Sequence, residues 1–134
     1  MRLVVFVVGA MLLSSAGCHR DPKLGKVTGS VTFQGTPVSE AVVVFSNAES
    51  GRSITAAVRS DGSYQVETAG GFGLPTGKYE VYLMPPAQEI APGDRPPFPP
   101  PKAYPNIPAK FRDAKTSGLS VTVVEGETKF DIAM

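Results

Sequence analysis

Residues able to do chemistry are scarce in this 134-residue chain. Its single cysteine, Cys18, and single histidine, His19, are neighbours in LLSSAGCHRDP, residues 12–22. One of each lacks the ligand number and spacing of a zinc centre. A serine triad needs an imidazole base inside the folded domain, and His19 precedes every segment with a folding pattern. The carboxylates Asp61, Glu67, Glu80, Glu125 and Glu127 fall in turns or on outward strand positions and read as solvated faces. The expectation is a protein that is not an enzyme, with no catalytic residue, no metal and no cofactor. A second cluster, Tyr104, Lys110, Phe111 and Arg112, follows a proline run. Aromatic rings beside cations can stack on sugars or hold acidic partners, so these four are the candidate binding residues. In the alternative, Phe111 plugs an edge of the fold while Lys110 and Arg112 are solvated.

The surroundings of Cys18 explain it better than catalysis does. Arg2 is followed by an apolar run from Leu3 to Leu13 and then by Ser14, Ser15, Ala16 and Gly17. A bilayer core takes about 20 helical residues to cross, so this run is too short to span. A positive start, a short apolar stretch and small residues at its end are the layout of a secretory signal. Residues 1–17 are therefore expected to be a signal peptide, outside the folded core.

A cysteine directly after those small residues resembles the lipobox of bacterial lipoproteins, with Ser15 standing where that family mostly has leucine. The resemblance implies a diacylglyceryl group on the Cys18 thiol and cleavage before Cys18. It also implies an exported protein held at a membrane of the cell envelope. An ordinary signal cut nearby, with Cys18 a free thiol, is the alternative, and a core cysteine is a third. One acyl chain anchors only marginally, whereas two or more on one residue hold firmly. Removing residues 1–17 also removes Arg2 and no acidic residue, which balances a chain carrying 13 basic and 12 acidic groups. That balance argues against a nucleic-acid partner.

Strands must position whatever binds. Residues 18–25 read as a polar tether containing Pro22. From Lys26 onward, apolar residues recur with period two. Val27, Val31 and Phe33 share a face, with Gly29 on that face marking a bulge or a close backbone approach. The same alternation puts Ile54, Ala56 and Val58, then Tyr64 and Val66, then Tyr79, Val81 and Leu83 inward. Seven strands are expected, over Lys26–Phe33, Ala41–Ser46, Ser53–Ser60, Tyr64–Glu67, Lys78–Met84, Leu119–Val124 and Thr128–Ala133. The run AVVVFS suits the middle of a sheet, Asp61-Gly62 is a strong hairpin signal, and AGGFGLPTG reads as a flexible loop. Short strands with turn signals between them, and no long helix, predict an all-β, seven-stranded antiparallel β-sandwich over residues 26–134.

Residues 85–108 interrupt this pattern and hold ten of the thirteen prolines. Proline has no N–H to give a ladder, so this insertion is expected to be extended or mobile, or a rigid strap over a sheet edge. It could also serve as a ligand for a polyproline groove. One helical turn is expected after Pro108.

The turn and core residues together resemble a carboxypeptidase regulatory-like domain, whose fold is transthyretin-like. Gly29, Val31, Gly35, Pro37, Val38, Ala41 and Val43 match its opening pattern. Asp61, Gly62 and Tyr64 match its central element, and Pro75, Gly77, Tyr79 and Val81 its closing one. The resemblance covers residues 26–134, extends to small bacterial lipoproteins made of this domain alone, and carries no active site. Intradiol dioxygenases, on a similar sandwich, bind iron through tyrosines and two histidines, which this chain lacks. Hydroxyisourate hydrolases end in a tyrosine-arginine-glycine-serine motif, whereas this chain ends FDIAM. A lysine-to-aspartate isopeptide between Lys26 and Asp131 is weighed and set aside, because Asp131 alternates outward. The expected function is a lipid-anchored structural or protein-interaction module of the envelope, reaching the membrane through lipid on Cys18. The alternative is a carbohydrate- or peptide-binding accessory domain, with an envelope protein or glycan as partner.

Overall fold

Alternation written into ten consecutive residues, LGKVTGSVTF, builds the spine of the molecule. The computed structural model describes residues 23–88, 93 and 102–134. Their strand segments are β1 (Leu24–Phe33), β2 (Thr36–Pro37), β3 (Val42–Asn47), β4 (Arg52–Ala57), β5 (Ser63–Gln65), β6 (Glu67–Thr68), β7 (Gly71–Phe72), β8 (Leu74–Pro75), β9 (Gly77–Met84), β10 (Leu119–Val123), β11 (Gly126–Lys129) and β12 (Ile132–Ala133). A 3-10 turn, Ala109–Arg112, and a single α turn, α1 (Ala114–Ser117), precede β10.

Two sheets carry the fold. In the first, β1 meets β8, β5 and β2 antiparallel along one side and runs parallel to β11 and β12 along the other. The second is antiparallel throughout, in the order β10-β9-β3-β4. Its AVVVFS segment lies between two neighbours, which suits its unbroken apolar character. The sheets touch through aromatic rings. Phe45 of β3 lies 6.1 Å from Tyr64 of β5 and 6.5 Å, edge to face, from Tyr79 of β9. Around them Val27, Val31, Val43, Val66, Val81 and Leu83 are fully buried. Each such side chain contributes roughly 1.5–3 kcal/mol relative to exposure.

All-β architecture is thus as expected, and strand falls on each of the seven expected runs, with differences of physical origin. The first and last strands are parallel rather than antiparallel. Alternation encodes which face a residue takes, but partner direction depends on how often the chain reverses between two strands. The loop AGGFGLPTG contains β7 and β8, and β6 with β7 forms a separate small hairpin. β1 begins at Leu24, which pairs with Pro75, and the Lys23 carbonyl accepts from Thr76 N–H. Residues 23–25 therefore belong to the sheet and not to the tether. Asp61-Gly62 turns the chain tightly, but β4 and β5 on either side belong to different sheets. The two-residue hairpin turn lies instead at Gln34-Gly35, both at positive φ (50° and 80°), between paired Phe33 and Thr36. Positive φ at both central residues is what the right-handed twist of a hairpin favours.

The final strand divides because a side chain replaces the ladder. Asp131 Oδ1 accepts from Ser30 N–H at 2.9 Å and from Ser30 Oγ at 3.0 Å. Phe130 N–H donates to the Thr28 carbonyl, and the Phe130 carbonyl accepts from the Tyr64 hydroxyl at 2.5 Å. Gly29 makes this crossing feasible, since a Cβ there would fall on the Phe130 carbonyl oxygen. Lys26 lies in register with Glu127, while Asp131 is held by Ser30 and Lys129. The isopeptide pair is therefore not assembled.

Candidate functional site

The chain returns from the proline-rich segment through Tyr104-Pro105-Asn106-Ile107, a turn closed by Ile107 N–H on the Tyr104 carbonyl at 3.1 Å. Proline at the second turn position presets its φ. Ile107 is fully buried and pins the turn to the core. Pro108 then opens the 3-10 turn, whose Phe111 N–H donates to the Pro108 carbonyl. Asp113 caps α1 through Lys115 N–H at 2.8 Å, which satisfies one of the free donors at a helix start. Buried Ser117 donates its hydroxyl to the Val81 carbonyl at 2.6 Å, fixing the end of the segment to β9.

The four candidate binding residues separate into two roles. Arg112 donates Nε to the Ile107 carbonyl and Nη2 to the Tyr104 carbonyl, both at 2.8 Å. Its fork clamps the turn, a task suited to a planar guanidinium. Phe111 is half-buried and packs on the core, with the Lys110 ammonium 5.5 Å from its ring centre. Tyr104 is also half-buried and packed on the core. Its ring lines a surface cleft of about 250 Å³ with Pro85, Pro86, Gln88, Lys102 and Arg112. Tyr104 and Arg112 thus share a cleft that Lys110 and Phe111 do not line.

Lys102, outside the predicted cluster, also lines this cleft. It reaches the Tyr104 ring at 5.4 Å and pairs with Glu40 at 2.5 Å, and that carboxylate holds its ammonium above the ordinary lysine range. Its signal was the spacing: residues two apart in an extended chain share a face. Gln88 and the two prolines had no such signal, because what brings residues 85–88 beside Tyr104 is tertiary. A larger cleft of about 480 Å³ lies between β4 and the β6–β7 hairpin, lined by Leu24, Ile54, Pro75 and Gly70 with Arg52 at its side.

Elsewhere the reactive-looking groups serve the backbone. Burial, reinforced by the Asp131 charge, drives the Tyr64 hydroxyl far above its ordinary range, so it acts as a donor to Phe130. Burial also raises Tyr79, whose hydroxyl donates to the Pro75 carbonyl at 2.9 Å. Ser63 holds the Asp61 carboxyl below its ordinary value by donating both its hydroxyl and its N–H. Ser30 does the same to Asp131. Among the described residues no group of histidine, cysteine, aspartate and glutamate is spaced to hold a metal. Cys18, His19 and the signal segment lie outside the described residues, as does most of the proline-rich run.

No protein-family model matches the chain, and no curated protein matches it. A solved structure, that of a DUF3823 family protein from Parabacteroides merdae, is similar over 84% of this chain at 17% identity, with a TM-score of 0.44. The match spans 46% of that protein's length.

Proposed function

We propose that this chain is a non-catalytic, lipid-anchored module of the cell envelope. Its sandwich is read as transthyretin-like, of the carboxypeptidase regulatory-like type, and its role as structural or protein-interacting. The observation that carries the non-catalytic reading is the use made of Arg112. Among the described residues, the guanidinium that lines the Tyr104 cleft is spent on two main-chain carbonyls. The anchor rests on Arg2, the apolar run to Leu13, the small residues 14–17 and Cys18. The family reading is supported by where its motif residues do their work. Gly29 permits the Phe130 crossing, Gly35 and Gly62 shape turns, and Val31, Ala41, Val43, Tyr64, Tyr79 and Val81 fill the core.

Growth of the producing bacterium with an alkyne-tagged fatty acid tests the anchor. The wild-type protein should carry the tag and sediment with membranes, and Cys18→Ser should do neither. Equal tagging of both proteins would remove Cys18 from the account.

A second reading, binding of a carbohydrate or peptide, is favoured by one observation. The cleft sets a tyrosine ring beside an ammonium and two prolines, surfaces on which a sugar ring or an extended peptide can lie. Glycan-array binding abolished by Tyr104→Ala in a protein that melts normally would establish it. Retained binding in that variant would refute the cleft as its site.

A further inference from the structure

Among the described residues the exposed large hydrophobics are Phe72 at 60%, Val124 at 54% and Met84 at 46%. The first two lie on either side of the first residues of β1. Gly25 pairs with Leu74 on one side and with Gly126 on the other. β11 runs parallel to β1, so Val124 lies level with Lys23, whereas β8 runs antiparallel and Phe72 lies inward of Gly25, in the β6–β7 hairpin whose tip, Gly70, comes back beside the Leu24 side chain. The Val124 carbonyl lies directly against Gly25. Adjacent strands are about 4.8 Å apart, so Val124 sits beside Lys23 and the hairpin bearing Phe72 sits beside Leu24 and Gly25, the first residues of β1. Met84 is at the other end. It closes β9, whose first residue, Gly77, pairs with Val123. Seven residues of strand separate the two positions by roughly 23 Å.

We propose that this end of the sandwich, bearing Phe72 and Val124, rests on the lipid surface in which Cys18 is anchored. The inference depends on the lipid-anchor reading for its setting. Four residues lie between Cys18 and Lys23, and fully extended they reach about 18 Å at most. Each headgroup layer is about 5–8 Å deep. The Lys23 end is therefore confined near the interface, with Val124 level with it and the hairpin of Phe72 against Leu24. Apolar side chains at that depth bind by burial at the boundary between headgroups and acyl chains. Charge adds little, because Lys23 is already paired with Glu125 at 2.6 Å. Contact should therefore not depend on anionic lipid.

The chain has one cysteine and no tryptophan, which makes the test direct. The protein from Cys18 onward, in which every described contact is retained, is coupled through its thiol to a maleimide lipid in phosphatidylcholine vesicles. This requires no lipidation in the cell, so a failed anchor in vivo and a failed docking surface give separate results. Phe72→Trp, Val124→Trp and Met84→Trp proteins are each examined with brominated phosphatidylcholine. Coupling should quench the first two at least twofold more than the third, with blue-shifted emission, and equally with or without phosphatidylglycerol. Amide exchange of the coupled wild-type protein should slow several-fold at Phe72 and Glu125 relative to Met84. Equal quenching at all three positions, or quenching that appears only with anionic lipid, would overturn the proposal. Unchanged exchange at Phe72 and Glu125 would overturn it as well, whatever the variants do.

Discussion

Two regions of this protein use the same side-chain types to opposite effect. At the β1–β5–β12 crossing, Tyr64, Ser30 and Asp131 surround a glycine, and each polar group is bound to backbone or to a neighbour. At the cleft beside the 3-10 turn, Tyr104, Lys102 and Gln88 line an open surface, and only Arg112 is committed to the main chain. Residue type alone separates neither region from an active site. What separates them is whether donors and acceptors are already consumed. A consumed donor stabilises the fold, because an unmade buried hydrogen bond costs about 1–3 kcal/mol. The exposed Lys102–Glu40 pair contributes little to stability, and the uncovered part of the Tyr104 ring remains reachable by a partner.

That contrast is sharpest at Gly29. Gly29→Ala forces a methyl onto the Phe130 carbonyl and should cost about 3 kcal/mol, seen in urea unfolding as a lower midpoint. A melt within error of wild type would mean that the crossing is looser than described. Tyr64→Phe keeps the ring and removes the donor to Phe130, and should cost about 1–3 kcal/mol. At the cleft, Arg112→Lys cannot reproduce a fork onto two carbonyls, and a loss of about 1 kcal/mol is expected. Tyr104 amide exchange should speed up with it. Lys102→Ala removes an exposed pair and should shift stability by less than about 0.5 kcal/mol. A loss as large as that of Tyr64→Phe would erase the distinction between the regions.

The smallest effect is in pH. Asp131 and Asp61 have folded-state values held below the ordinary 3.8 by Ser30 and Ser63. Their stabilisation is complete above the unfolded value and fades as pH falls through the lowered folded value. Asp131→Asn should therefore flatten the decline in melting temperature below about pH 4, and a decline as steep as wild type would assign it to other carboxylates.

Much of the interior was legible, because period-two alternation directly reports which face a residue takes. Tyr64, Tyr79, Val81 and Leu83 point inward as their spacing requires. Gly29 was legible as a close approach, though not what approached. The parallel pairing of β1 with β11 and β12 was not legible, since pairing direction is a property of the whole path. The start of β1 at Leu24 was hidden because Leu24 and Gly25 gain strand geometry from Pro75 and Leu74, fifty residues away. The split at Asp131 depends on a side chain competing with the ladder, which composition does not reveal. At the cleft, Tyr104 and Arg112 were legible as candidates, while Lys110 and Phe111, grouped with them by sequence, lie outside it. That Arg112 was already spent, and that Lys102 completes the surface, required the fold of residues 102–112.

The central claim is that Cys18 is the lipid-bearing first residue of the mature protein, and the mass of the N-terminal peptide from membranes of the producing cell tests it most directly. The account predicts a peptide beginning at Cys18 with a diacylglyceryl mass on its thiol. An unmodified Cys18, or an N-terminus at any other residue, would contradict it.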